Sequence, residues 1–324
     1  MNPRTDTDAA PACCAPARHE AKALLPAPAP GPLASASARS AHLIEQVRIP
    51  AQRFLMGDAR GDGRRGDGET PVHPVSLAAF AIDATSVTNG DFARFIGATD
   101  YRTDAERYGS SAVFHLALAA PAADIIGPVS GTPWWVAVAG ADWAHPGGGE
   151  SDVLDLQDHP VVHISWNDAQ AYCEWAGRSL PTEAQWEAAS RGGLDGARYP
   201  WGEERDVTRM NIWQGVFPVE NTLEDGYLTT APVRSYDPNA YGLWQTVGNV
   251  WEWCADWWDP RYYAVSPEND PAGPIRGTVR VLRGGSYLCH DSYCNRYRNA
   301  ARSSNTADSS MGNAGFRTVA RTSR

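Results

Sequence analysis

The sequence predicts an α+β fold, a single irregular domain low in regular secondary structure and preceded by a disordered tail. Three observations point there. The 324 residues include 30 Gly and 24 Pro, a density of turn formers that leaves little room for long elements. Hydrophobic residues make up 43% of the chain and 13 of them are Trp, enough apolar surface to build a sizeable core from short pieces. Helical and strand patterns alternate in brief runs, with no repeat of fixed period.

Taken in order, residues 1–44 are dominated by Ala, Pro and Ser and lack aromatic residues. Such a segment cannot bury enough surface to offset its ordering entropy, so it reads as a disordered tail, with the domain spanning 45–324. VRIPAQRFLMG then suggests a first strand, and GDARGDGRRGDGETPV a Gly/Asp-rich loop. HPVSLAAFAID reads as a strand leading into TSVTNGDFARFI, where Thr88 or Asn89 caps a short helix. In SWNDAQAYCEWAGR, Asn167 is the expected N-cap; Ala171, Tyr172, Trp175 and Ala176 recur at helical spacing, and Gly177 closes the helix. In LPTEAQWEAASRGG, Thr182 and Gln185 form a capping-box pattern and Gly192-Gly193 a stop. Short strands follow in YGLWQTVGNVWEW, VRVLRGGSY and GFRTVAR.

A net charge of −10 without a basic run argues against nucleic acid as a partner. No apolar stretch reaches the roughly 18 residues of a membrane span. The N-terminus lacks the apolar core of a secretory signal, so a cytoplasmic location is expected. In a reducing compartment, thiols are reactive or metal-binding more often than paired in disulfides.

That matters for the six cysteines. Cys173 lies on the apolar side of a helix beside Trp175 and reads as a buried, inert thiol; Cys254 also looks structural. His159 and His163 have the spacing of a helical metal pair, but Pro160 and two Val residues favour a strand and a structural role. Zinc would need more ligands than Cys289, His290 and Cys294 supply. Cys289 and Cys294 differ from the others: they flank His-Asp-Ser, whose turn propensity brings the two thiols toward each other. Two soft thiolates without further ligands suit Cu(I). Arg296 and Arg298 share a face if extended, and the simplest reading pairs them with the acidic surplus.

RGGSYLCHDSYCNRYRNAARSSNTADSS closely resembles the C-terminal signature of formylglycine-generating enzymes, the oxidases that activate sulfatases. The resemblance extends through HPVVHISWNDAQAYCEWAGRSLPTEAQWE, NIWQGVFPVENTLEDGY and YGLWQTVGNVWEWCADWW to GFR, covering residues 46–320 in order. LPTEAQWE, GNVWEW and GFR are shared across a wide superfamily and speak mainly to fold; the cysteine pair is far more specific.

The resemblance implies a C-type lectin-like fold and conversion of the cysteine in a Cys-X-Pro-X-Arg motif to Cα-formylglycine, using O₂ and copper. Its partner would be an extended or unfolded sulfatase polypeptide, and the enzyme a monomer. By motif, Cys289 and Cys294 would be the Cu(I) ligands, with Cys294 also able to form a mixed disulfide with substrate. Ser286, Tyr293 and Trp251 would line the oxygen and substrate pocket. Structural Ca²⁺ would be held at Asn211, Ile212, Asp225 and Tyr227, and at Gln245, Gly248, Val250 and Glu252, Gln245 standing where relatives carry Asn. Ser190, Asn299 and Thr318 occupy positions that are disulfide cysteines in secretory members; of those four positions only Cys173 is still a cysteine, as expected for a cytoplasmic version. Fold alone would equally allow a non-catalytic binding module, and the intact cysteine pair is what favours the enzyme.

Outside the resemblance, Cys14-Ala15-Pro16-Ala17-Arg18 in the tail fits the Cys-X-Pro-X-Arg motif itself. A chance match is common in a Pro-rich tail. An extended segment is nevertheless the form such an enzyme would act on, so the tail is expected to be a weak competitor or substrate.

Overall fold

The structure, a computed structural model, describes residues 16–18 and 42–321. Pro50 splits the first expected strand in two, β1 (Gln46–Ile49) and β2 (Gln52–Met56). After the Gly/Asp loop, β3 (His73–Leu77) pairs antiparallel with β2, and β4 (Phe80–Asp83) with β1. Helix α1 (Asn89–Thr99) begins where expected, with Thr88 and Asp91 closing a reciprocal capping box. The short α2 (Asp104–Tyr108) leads into β5 (Ser110–Phe114), which pairs with β7 (Thr132–Ala139), itself flanked by β6 (Ile125–Val129).

Helix α3 (Trp166–Ala176) buries Asp168, Ala169, Tyr172, Cys173 and Ala176, a stripe at helical spacing. Its N-cap is Ser165, not Asn167. The Ser165 hydroxyl accepts from the Asp168 N–H and the Asp168 carboxylate accepts from the Ser165 N–H, while Asn167 sits in the first turn and donates to Asp104. Gly177 ends the helix at φ 65°, where a side chain would be strained.

The two-residue β8 (Arg178–Ser179) precedes α4 (Glu183–Ser190), which Thr182 and Gln185 cap reciprocally and which stops before Gly192 and Gly193, both at positive φ. A small hairpin of β9 (Gly215–Val216) and β10 (Glu220–Asn221) follows. The last sheet joins β11 (Trp251–Trp257), β12 (Arg280–Arg283), β13 (Arg302–Asn305) and β14 (Ala314–Gly315) in the order β13-β12-β11-β14. Finally β15 (Val319–Ala320) lies between β4 and β8. The expectation of short, scattered elements holds.

Residues 159–163 correct the sequence reading. They form no strand: Pro160 makes a single bridge to Thr88, and His163 takes a left-handed backbone at φ 57°. The two histidines do not converge. His159 meets Thr230, and His163 meets Ser111 and the Pro146 carbonyl. Their structural role stands, without the strand.

The main core holds Phe92, Trp135, Trp213, Trp251, Trp253, Tyr297 and Phe316, all buried. Beside it lies an ionic network with little access to water. Glu183 accepts from Arg283 and, on both carboxylate oxygens, from Arg302; Glu187 accepts from Arg191 and Arg283; Glu252 is held by Arg317. Isolated charges could not be buried so deeply; pairing and hydrogen bonding make it possible.

Candidate active site

Strand β12 delivers the chain into Gly284 and Gly285, at φ 96° and 73°. A Cβ on Gly285 would fall 2.6 Å from the Arg296 carbonyl, so only glycine lets the two halves of the Cys289–Cys294 loop approach. The loop then closes as the turn residues foretold. The His290 carbonyl accepts from the N–H groups of Tyr293, Cys294 and Asn295, at 3.0, 2.9 and 3.3 Å. Cys289 and Cys294 are 0% and 1% exposed, and no disulfide joins any two of the described cysteines.

Around the first thiol, the Ser286 N–H points at Cys289 Sγ from 3.4 Å. The Ser286 hydroxyl oxygen accepts from the Asn313 side-chain amide at 2.9 Å and from the Leu288 N–H at 3.4 Å. The Asn313 carbonyl in turn accepts from the Trp251 N–H at 2.9 Å, where β11 runs beside β14. Trp251 and the Ser286–Cys289 stretch, from two separate sequence segments, are thus tied through Asn313. Tyr293 stacks on Phe217 with centroids 4.4 Å apart and meets Trp134 edge-on at 5.0 Å, making an aromatic wall beside the second cysteine. The structure therefore brings all five expected site residues onto one loop and its immediate supports.

Asn313, Trp134 and Phe217 escaped the sequence reading. Asn313 sits in a Gly-Asn turn of the kind that commonly serves only the backbone, and the two aromatics lie far away in sequence. The other two described cysteines behave as expected: Cys173 and Cys254 are buried and burial pushes both thiols well up, which makes them poor nucleophiles.

Arg296 and Arg298, just past the loop, are clamped. Arg296 donates to both Asp67 oxygens at 2.6 and 2.7 Å, and Arg298 to both Glu69 oxygens at 2.9 Å. The Gly/Asp loop of residues 57–72 is therefore a bracket that holds the cysteine loop from outside, and Arg64 adds a hydrogen bond to the Tyr293 carbonyl.

Cys289 and Cys294 offer two buried sulfur donors on one loop. Two thiolates are a donor set that fits Cu(I). The expected calcium residues include three unpartnered side-chain oxygens. Asn211 Oδ1, Asp225 Oδ2 and Gln245 Oε1 are buried oxygens without hydrogen-bond partners, the kind of hard donor that Ca²⁺ takes. Burial also raises the Asp225 pKa, as it does for a carboxylate lacking a nearby cation. Tyr227 donates its N–H to Asp225 Oδ1, and Ile212 is buried beside Asn211. Gly248, at φ 74°, abuts the Asn211 carbonyl: a Cβ there would come within 2.5 Å, so the two loops share a wall. Val250 is buried, while the Glu252 carboxylate is taken up by Arg317, Trp186 and Ser86.

Fold and site together define a class: an irregular α+β domain that presents a buried two-cysteine loop braced by ion pairs. The chain belongs to the family of the sulfatase-modifying factor enzyme 1-like domain, whose model matches residues 32–322. It is 62% identical over 296 residues to the formylglycine-generating enzyme of Streptomyces coelicolor, covering 89% of this chain and 94% of that protein. It is also 42% identical over 282 residues to the inactive C-alpha-formylglycine-generating enzyme 2 of Mus musculus, covering 84% of each. Among solved structures, PvdO from Pseudomonas aeruginosa superposes with a TM-score of 0.63 at 23% identity, covering 90% of this chain and 99% of that one, a likeness of fold. No described helix is long and apolar enough to cross a membrane.

Proposed function

We propose that this chain is a copper-dependent oxidase that converts the cysteine of an extended Cys-X-Pro-X-Arg segment in a sulfatase to Cα-formylglycine with O₂ as acceptor, acting in the cytoplasm as a monomer. The observation that carries the reading is the buried loop that places Cys289 and Cys294 at the two ends of one closed turn. A non-catalytic binding module of the same fold would have no use for two buried thiols flanking a turn. The high identity to a relative named as an active enzyme supports the same side.

Cys289 and Cys294 would hold Cu(I), which supplies the redox chemistry that lets triplet dioxygen react with a substrate thiol. The chain's own residues do the rest. The Ser286 N–H stabilises negative charge on the Cys289 sulfur. The Ser286 oxygen accepts from Asn313 and Leu288, which leaves its O–H free to donate toward the reacting centre. Tyr293, Trp134 and Phe217 exclude water from the Cys294 side, where every electrostatic interaction strengthens. Ca²⁺ at the Asn211–Asp225 and Gln245–Glu252 loops would act on stability alone, taking the Glu252 backbone rather than its committed carboxylate.

The test is incubation of the copper-loaded protein with a Leu-Cys-Thr-Pro-Ser-Arg peptide under oxygen, followed by mass spectrometry. A product carrying CHO in place of CH₂SH at the cysteine is expected. A peptide recovered unchanged, from protein shown to be folded and copper-loaded, would overturn the reading.

A further inference from the structure

Three tail residues, Pro16, Ala17 and Arg18, are seated against the domain. Pro16 is buried and its carbonyl accepts from the Asn305 side-chain amide at 3.0 Å. Arg18 is held by four hydrogen bonds. Its backbone N–H donates to Ser309 Oγ at 3.0 Å, its Nε to the Asp308 carbonyl at 3.2 Å, and one terminal nitrogen to the Ser110 carbonyl at 3.1 Å and to Ser310 Oγ at 2.7 Å. The guanidinium lies 4.3 Å from the Tyr108 ring centroid, a cation–π distance. Burial lowers the Arg18 pKa on balance, and Asp308, Asp104 and Asp168 offset part of that cost with attractive negative charge.

The seat continues inward in one direction. His163 Nε2 contacts the Pro146 carbonyl and so must donate; Nδ1 then accepts from Ser111, which accepts from Ser310, which accepts from Arg18. A chain of aligned hydrogen bonds ending in a buried histidine is a built pocket for a guanidinium, not a chance surface contact.

The pocket belongs to the segment that supports the catalytic loop from behind. Asn305 and residues 308–310 grip the tail, and three residues later Asn313 holds Ser286 beside Cys289. The tail also has the spacing of the motif in the proposed substrate, with Cys14 two residues before Pro16, though Cys14 itself lies outside the described residues.

We propose that Pro16–Arg18 is an intramolecular occupant of the peptide groove and competes with substrate for the Tyr108–Ser310 pocket. This inference rests on the reading that the chain binds a Cys-X-Pro-X-Arg segment. Tethering sets the effective concentration of the tail near the millimolar range, so even weak intrinsic affinity holds it in place, and a sulfatase segment must displace it.

The experiment measures binding rather than turnover, which separates the two claims. A fluorescently labelled Leu-Ser-Thr-Pro-Ser-Arg peptide, which has no thiol to oxidise, is titrated by anisotropy with the copper-free full-length protein. Arg18→Glu is expected to tighten peptide binding by about tenfold, the factor by which a tethered millimolar competitor exceeds a dissociation constant near 0.1 mM. Arg4→Glu, an equal charge change elsewhere in the tail, is expected to match wild type. Tyr108→Ala in the Arg18→Glu background is expected to weaken the peptide, because both ligands use that ring. Equal affinity of wild type and Arg18→Glu, no measurable binding by either, or indifference to Tyr108→Ala would each overturn the proposal. Tightening by Arg18→Glu without any turnover of the cysteine peptide would sink the catalytic reading and leave this one standing.

Discussion

Asn313 donates its side-chain amide to the Ser286 hydroxyl oxygen at 2.9 Å while its carbonyl accepts from the Trp251 N–H, so it bridges the strand that carries Trp251 and the loop that carries Cys289. Removing it should leave Ser286 free to rotate and its oxygen without its strongest donor. Asn313→Ala is expected to cost about 1–3 kcal/mol of stability, as for other buried polar partners. Peptide turnover should fall while Cu(I) affinity changes little, since both thiols remain. Turnover equal to wild type in a folded Asn313→Ala protein would show that the Ser286 hydroxyl takes no part.

The ionic network makes a stability prediction. Glu183 accepts from Arg283 at 3.0 Å and from Arg302 at 2.6 and 2.9 Å, with both arginines almost wholly buried. Glu183→Gln would leave the buried Arg302 guanidinium without its carboxylate and take one of two carboxylates from Arg283, which keeps Glu187. The expected loss is about 3–5 kcal/mol, the range for breaking a buried pair from one side. Urea unfolding of the variant reads it; a loss below about 1 kcal/mol, the worth of an exposed pair, would mean that water reaches the network.

His163 adds a pH dependence. Burial lowers its pKa to about 4, against an ordinary value of 6.5, and outweighs the opposing hydrogen bond to the Pro146 carbonyl. Between those two values the unfolded chain binds a proton that the folded chain does not. Its contribution is therefore fully present above pH 6.5 and is lost as the pH falls toward 4, amounting to about 3 kcal/mol. Unfolding free energies across this window should show that slope. His163→Asn, which tolerates the left-handed backbone here, should flatten it; an identical slope in the variant would assign the effect to other groups.

Calcium should act on stability. The partnerless oxygens of Asn211, Asp225 and Gln245 cost free energy when no cation satisfies them. A cation that binds only the folded state raises its apparent stability by mass action. Chelation is expected to lower the Tm, and activity should decline only as the fold does. A chelated protein that stays folded with an unchanged Tm would remove calcium from these loops.

Much of this architecture was legible because its signals are local. The Thr182–Gln185 box, the Gly177 stop and the turn between the two cysteines each depend on a few neighbouring residues, and each formed. Where two local solutions competed, sequence alone chose wrongly: Ser165 and Asn167 can both cap α3, and the capping box with Asp168 decided it. The extended look of His159–His163 failed because β propensity says nothing about whether a partner strand is at hand. Long-range partners were hidden altogether. Arg296 and Arg298 read as generic salt-bridge formers, and only the fold pairs them with Asp67 and Glu69 across more than 200 residues. Asn313 was hidden for the same reason, its partner Ser286 being 27 positions away. The cysteine pair itself was visible in the sequence because both thiols stand on one short loop.

The claim that Cys289 and Cys294 together form the copper site is tested most directly by a competitive Cu(I) titration of the folded protein against a chromophoric chelator. Wild type should bind one equivalent tightly, and Cys173→Ala should match it, since that thiol is buried on α3 away from the loop. Cys289→Ser and Cys294→Ser should each lose more affinity than the roughly 10- to 100-fold cost of removing a partner that merely orients a ligand. One serine variant that keeps wild-type copper affinity and stoichiometry would contradict the two-thiolate site.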